Sequence, residues 1–359
     1  MTMSKISLLF VCLLLSTVLL AQDDVPGPPG GDNTPTVTIG GLMYKLNKQK
    51  LSAMVANGNK WEGELVIPEQ VTHEGETYTV DRIEWCGFQY CTTLTKVWIP
   101  KTVTDIVHYA LWDECKNPFY GCTSLESIEV DEANPSMCSV DGVLFSKDRT
   151  RLYCYPAGAR NESYTVPQSV TWLGMDAFAR NAYLLSVEVP NSVTFISAGT
   201  FSGCRNLNAV KLSKNIRHIA AYTFENCNNL RFLDIPESVA SFGEGVFRWS
   251  PLDIILIRGT FPEGLRDDTF YFMSESTVIY VQASEVSKFK SVFQGTVLSL
   301  EDYTNGITTL AVESDQEPLY YDLQGRRLSE KPQHGLYIKN GKKVQAKFAL
   351  NDIVRCQKQ

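Results

Sequence analysis

Between Thr165 and Gly259 the sequence returns to itself every 23 residues, and that period limits the fold more than any other feature of the chain. Pro167, Pro190 and Pro236 share one position of the repeat, with Ser213 standing where a fourth proline would fall. Phe178, Phe201, Phe224 and Phe247 form a second column, Val193, Ile216 and Val239 a third, Ile196, Ile219 and Phe242 a fourth, and Leu184, Leu207 and Leu230 a fifth. A unit this short cannot bury its own apolar face, so neighbouring units must stack on it and share one continuous core. The expected fold class is therefore an α/β repeat solenoid with 23-residue coils, mostly β with short helical turns.

Each unit reads Ile/Val-Pro-x-x-Val-x-x-Ile, then a few residues, then Phe-x-x-Cys-x-x-Leu-x-x-Val. The second half also occurs earlier, as Phe88, Cys91, Leu94, Val97 and as Phe119, Cys122, Leu125, Ile128. In those early coils the distance from Val to Phe is stretched, which predicts loops around His73 to Asp81 and Leu111 to Pro118, where binding residues often sit. Residues 131–164 break the period with two alternating runs and a Lys147-Asp148-Arg149-Thr150 turn, the pattern of an inserted hairpin.

Outside the repeat the chain divides by composition. Residues 1–21 carry an apolar run behind Lys5 and predict a cleaved export signal rather than a membrane span. The surroundings of Cys12 match a lipid-anchor site poorly. Residues 22–35, rich in Pro, Gly and Asp, predict a tether, and 36–63 an N-terminal cap over the first coil. After Leu256 the period fades, so the solenoid of 64–300 is expected to close with a C-terminal cap over 260–300. A linker over 301–317 and a small β module over 318–359 follow, the latter carrying an Asn340-Gly341 hairpin turn. A net charge of -7 argues against a nucleic-acid partner.

The ordered columns, present in six copies, resemble the BspA-like leucine-rich-repeat surface proteins of Bacteroidetes over roughly residues 60 to 300. The resemblance implies a curved right-handed solenoid with a cell-surface role in adhesion or recognition, and it names no ligand. The tail is similar to the short C-terminal modules that end many exported proteins of that group, some of them sorting signals. It departs from a sorting signal by continuing from Phe348 to Gln359, so a small β module packed on the solenoid end is the expected reading.

Chemistry-bearing motifs are scarce. There is no Gly-x-Ser-x-Gly, Gly-x-Gly-x-x-Gly, P-loop or His-Glu-x-x-His, and no Cys-x-x-Cys, so neither catalysis, a cofactor nor a metal is expected. Cys91, Cys122, Cys204 and Cys227 share one column and predict inert thiols facing the core. Cys86 and Cys115 flank the stretched loops of adjacent coils and are candidates for a bridge.

The repeat also indicates which residues point outward. Trp172, Phe195, His218 and Ser241 follow one another at 23 residues, and stacked strands lie about 4.8 Å apart, so the first three should form one ladder. Such a strip suits sugar-ring stacking or a protein contact, or else it packs on itself and stiffens the coils. Glu188, Lys211 and Asp234 form a second outward column of alternating sign, and Arg231, Phe232 and Trp98 beside it are candidates for a recognition face. Two functions follow. One is an exported, surface-located or secreted adhesin that binds a host or bacterial surface protein, with no membrane span in the mature chain. The other is a glycan-binding accessory protein that uses the aromatic ladder.

Overall fold

A computed structural model describes residues 35–308, except 57, 59, 107–116, 263, 264 and 266, together with four short strands between 320 and 345. The expected export signal, nearly all of the tether, the linker from 309 on, the loop over 111–116 and Cys115 lie outside the described residues.

Each regular coil has three sides. The first is a strand of only two residues, Trp172–Leu173, Phe195–Ile196, His218–Ile219 and Ser241–Phe242, pairing in parallel along the stack. One residue of each strand enters the core (Leu173, Ile196, Ile219) and the other faces out, as the twofold alternation of a strand requires. The second side carries the strands of the Leu-x-x-Val half: Ser163–Thr165, Ser186–Glu188 and Ala209–Lys211 in one sheet, then Phe232–Ile235, Ile254–Ile257, Val278–Val281 and Thr296–Ser299 in another.

The third side is a turn built on left-handed backbone. Residues two before and two after each core Phe have positive φ: Asp176, Gly199, Tyr222 and Gly245 in one column, Arg180, Gly203, Asn226, Trp249 and Phe272 in the other. This alternation aims successive amides at the next coil. The N–H groups of Gly199, Phe201 and Gly203 donate to the carbonyls of Ala221, Thr223 and Glu225 at 2.9, 3.0 and 2.7 Å. The turn side thus satisfies its backbone between coils, much as a sheet does.

Inside, the Phe column stacks ring on ring. Centroid separations are 5.2 Å for Phe178–Phe201, 5.5 Å for Phe201–Phe224, 6.3 Å for Phe224–Phe247 and 6.1 Å for Phe247–Phe270. Tyr155 extends the column on one end and Phe293 on the other. The expectation that the period fades after Leu256 is therefore corrected: Phe270 and Phe293 keep the 23-residue step, although the strands around them no longer do.

The cysteine column also differs from an apolar one. The thiols of Cys122, Cys204 and Cys227 donate to the carbonyls of Phe88, Phe178 and Phe201 in the preceding coils of the Phe column, at 3.0, 3.0 and 3.2 Å. Where Ser250 replaces Cys its hydroxyl donates to the Phe224 carbonyl. Asn181, in the same column, donates to the carbonyls of Pro156 and Ala159 at 3.0 Å. The position demands a buried donor, and Cys, Ser and Asn each supply one. Burial pushes the Cys204 thiol up to about 12.

At the N-terminal end Thr36–Ile39, Leu42–Asn47 and Ser52–Val55 form an antiparallel meander that joins the coils through Glu76–Ile83. The loop predicted around His73 to Asp81 is instead a hairpin, Gln70–His73 against Glu76–Ile83, built into that same sheet. Residues 131–164 contribute the antiparallel strands Met137–Val140, Val143–Ser146 and Arg151–Cys154, the last pairing in parallel with Trp172–Leu173. Beyond the coils lie two helices, Val286–Lys290 and Leu300–Thr308, the second beginning where a linker was expected. In the tail Leu336–Lys339 pairs with Lys342–Gln345, with Asn340-Gly341 between them.

Candidate recognition surface

Trp172 and Phe195 stand in register on adjacent short strands, their rings 6.5 Å apart and 11° from parallel. On the other side of Trp172 the Arg151 guanidinium lies 5.3 Å from the ring centroid, and Tyr153 meets it edge-on at 6.3 Å. Both faces of Trp172 are covered by its own neighbours, leaving Phe195 as the exposed ring of the ladder, 43% accessible. His218, half-buried, shares a 2.7 Å hydrogen bond between its Nδ1 and the Ser241 hydroxyl. Burial lowers its pKa below the usual imidazole value.

On the wide strand side the alternating charges form two separate pairs rather than one column. Lys211 bridges Glu188, whereas Asp234 takes a two-pronged bond from Arg258 at 2.7 Å each. Arg231 is occupied by the Pro251 carbonyl at 2.9 Å, and Phe232 is half-buried opposite Ile254. Trp98 is exposed, but it sits between Val66 and Glu129 in a different sheet. The structure does not bring Trp98 together with Arg231 and Phe232.

The densest exposed apolar cluster is elsewhere, on the turn side. Trp249, Tyr271 and Phe272 are 46%, 57% and 54% accessible and adjoin one another, with Trp249–Phe272 at 5.6 Å and Tyr271–Phe272 at 4.4 Å. The Arg248 guanidinium lies over Trp249 at 3.9 Å and near Phe272 at 5.4 Å. Further along the same side Arg180 lies 5.3 Å from the Tyr90 ring and 5.1 Å from Tyr120, and off the turn, just before the wide strands, Arg160 lies 5.8 Å from the Tyr183 ring.

Sequence reasoning missed the turn-side residues although a signal was present. Trp249 and Phe272 occupy the column held by Gly203 and Asn226, the residue types that accept positive φ most readily. A bulky ring there costs on the order of 1–3 kcal/mol and points to a use beyond folding.

Among the described residues no group of three or more His, Cys, Asp or Glu side chains is placed to hold a metal ion. No described helix is long and apolar enough to cross a membrane.

Residues 76–132 and 151–276, more than half of the chain, match the BspA type leucine rich repeat region in six copies. Similar solved structures include the pneumococcal vaccine antigen PcpA, at 18% identity over 74% of this chain and 98% of that one, with a TM-score of 0.47. A leucine rich cell surface protein of Faecalibacterium prausnitzii A2-165 is 19% identical over 74% of this chain and all of its own, with a TM-score of 0.45. A leucine-rich repeat protein of Bacteroides ovatus ATCC 8483 is 18% identical over 73% and 76%, with a TM-score of 0.36. No curated protein matches the chain.

Proposed function

Because the chain belongs to the BspA-type leucine-rich-repeat family, we propose that it is an exported, non-enzymatic recognition protein that binds a surface protein through the turn side of its coils. The observation that carries this reading is the recurrence of exposed aromatic rings coupled to arginines along that side, at Tyr90 and Arg180 and at Trp249, Phe272 and Arg248. Trp, Tyr and Arg are the residues that dominate binding energy at protein interfaces. An arginine laid flat on a ring is held in place before binding, which reduces the ordering cost on association.

The test is binding of the full chain to a panel of immobilised host matrix proteins, bacterial surface proteins and glycans, beside the Trp249→Ala/Phe272→Ala variant. Protein binding that the variant loses by tenfold or more supports the reading. Binding confined to glycans, and weakened instead by Phe195→Ala, would return the function to the short-strand ladder.

A further inference from the structure

The wide strand side begins with Gly63–Val66, and that strand is paired along one edge. Leu94–Ile99 runs parallel to it and Ser127–Val130 follows, but among the described residues no strand lies on its other side. The amides of Gly63 and Ile67 donate inward, to the carbonyls of Thr93 and Trp98 at 2.9 and 3.0 Å. Strand alternation then turns the backbone groups of Glu64 and Val66 toward the open edge. The Glu64 carbonyl accepts the Trp61 indole N–H at 3.0 Å, a side chain standing in for the donor that a further strand would supply.

The side chains along this edge have a definite chemistry. Val66, 69% accessible, is the most exposed large apolar side chain among the described residues, and it stands in register with Trp98, itself 38% accessible. Glu62 and Glu64 are exposed, and no described cation lies within ion-pair distance of either. Lys96, beside Glu64 in register, pairs instead with Glu129 at 3.9 Å. Elsewhere on the wide side opposite charges meet between neighbouring coils, Lys211 with Glu188 and Arg258 with Asp234. Glu64 is the carboxylate whose outer neighbour is missing. The sequence of the tether suits the place poorly: Pro26, Pro28, Pro29 and Pro35 each lack a ladder donor, and Asp23, Asp24 and Asp32 repeat the charge of Glu62 and Glu64.

We propose that this edge receives an extended segment of a protein partner, added as one more strand, with a basic residue beside Glu64 and, two positions away, an apolar residue against Val66 and Trp98. Backbone bonds supply the affinity of such an addition, and the two outward side chains supply the selection. The site is separate from the turn side, so each can fail without the other.

The test follows hydrogen exchange at the backbone amides of the full chain by NMR, with and without acetyl-Thr-Thr-Lys-Thr-Val-Thr-Thr-amide and the peptide of reversed sequence. In the free chain the amides of Glu64 and Val66 exchange fast and that of Ile67 slowly. The expected result is that at least one of the two peptides slows exchange at Glu64 and Val66 about tenfold and shifts the Trp61 indole resonance, assigned with Trp61→Phe. Replacing the peptide's Lys by Glu weakens binding about fivefold, and E64K, at an exposed position, reverses that order. N-methylation of alternate peptide residues abolishes binding in the register that faces the edge; binding retained in both registers would overturn strand addition. So would slow exchange at Glu64 and Val66 in the free chain, no protection by either basic peptide, or a preference for the basic peptide that E64K leaves intact. Trp249→Ala/Phe272→Ala is expected to leave peptide binding unchanged, and a matching loss in that variant would contradict a separate site.

Discussion

Trp172 with Phe195 and Trp249 with Phe272 are both ring pairs one repeat apart, with centroids 6.5 and 5.6 Å apart, yet they stand on different backbone. The first pair stands on paired extended backbone, which sets neighbouring side chains face to face, and the rings lie 11° from parallel. The second stands on left-handed turns, where the rings tilt to 30° and remain nearly half exposed. Equal spacing brings rings together in both places, and the pairs differ at one member: Trp172 is covered on both faces, whereas Phe195, Trp249 and Phe272 are 43%, 46% and 54% exposed. Backbone conformation sets the ring geometry, near-parallel on paired strands and tilted on left-handed turns.

The core sets the scale against which both pairs are judged. Phe201→Ala, in the tightly stacked coils, is expected to lower unfolding free energy by about 3–5 kcal/mol in urea titration. Phe247→Ala should cost less, because its rings already sit farther apart. Equal losses at the two positions would contradict the opening of the stack near residue 250.

The sharpest contrast lies between the surface tryptophans. Trp172→Ala, which strips a ring packed on both faces, should cost about 1–2 kcal/mol of stability. Trp249→Gly should leave stability unchanged or raise it by about 0.5 kcal/mol, since glycine relieves the positive φ, while abolishing turn-side binding. A large stability loss for Trp249→Gly would make that ring structural and dissolve the comparison.

The donor column predicts effects of about 1 kcal/mol. Cys227→Ala leaves the Phe201 carbonyl with the Cys204 amide alone, whereas Cys227→Ser restores the second donor, as Ser250 supplies one natively one coil on. The same column gives an alkaline signature. Burial raises the Cys204 thiol from 9.0 to about 12 and those of Cys122 and Cys227 in the same direction, so the unfolded chain gives up those protons first. Stability is full below pH 9 and falls as pH rises from 9 toward 12, and Cys204→Ser should flatten that slope in guanidinium titrations.

The smallest effect is at His218. Its depressed pKa keeps the ring neutral when folded, so the unfolded chain takes up the proton first as pH falls below 6.5. Stability should decline in that range, and His218→Gln should remove that part of the decline. A pH profile identical in the variant would mean the ring is solvated.

Much of the architecture was legible because apolar columns at a fixed period have one physical meaning. Phe201, Leu207 and Ile219 lie where the repeat puts them, fully buried. Phe270 and Phe293 escaped notice because the strands beside them lose the 23-residue step while the ring stack keeps it. The cysteines were read by size, and their hydrogen-bonding role is invisible without the preceding carbonyl. The turn-side cluster was missed for a related reason. Alternation identifies outward residues only on extended backbone, and Trp249 and Phe272 stand on turns, where the informative sign is an aromatic ring in the column that also holds Gly203 and Asn226 along with Tyr90 and Arg180.

The most direct test of the central claim compares two double variants on one bound protein. Dissociation from the immobilised partner is followed for the full chain, for Trp249→Ala/Phe272→Ala and for Trp172→Ala/Phe195→Ala, all at a temperature where each is folded. A turn-side interface predicts release at least tenfold faster for the first variant and nearly unchanged release for the second. The reverse order would place recognition on the short-strand ladder and leave the turn-side aromatics without the role assigned to them.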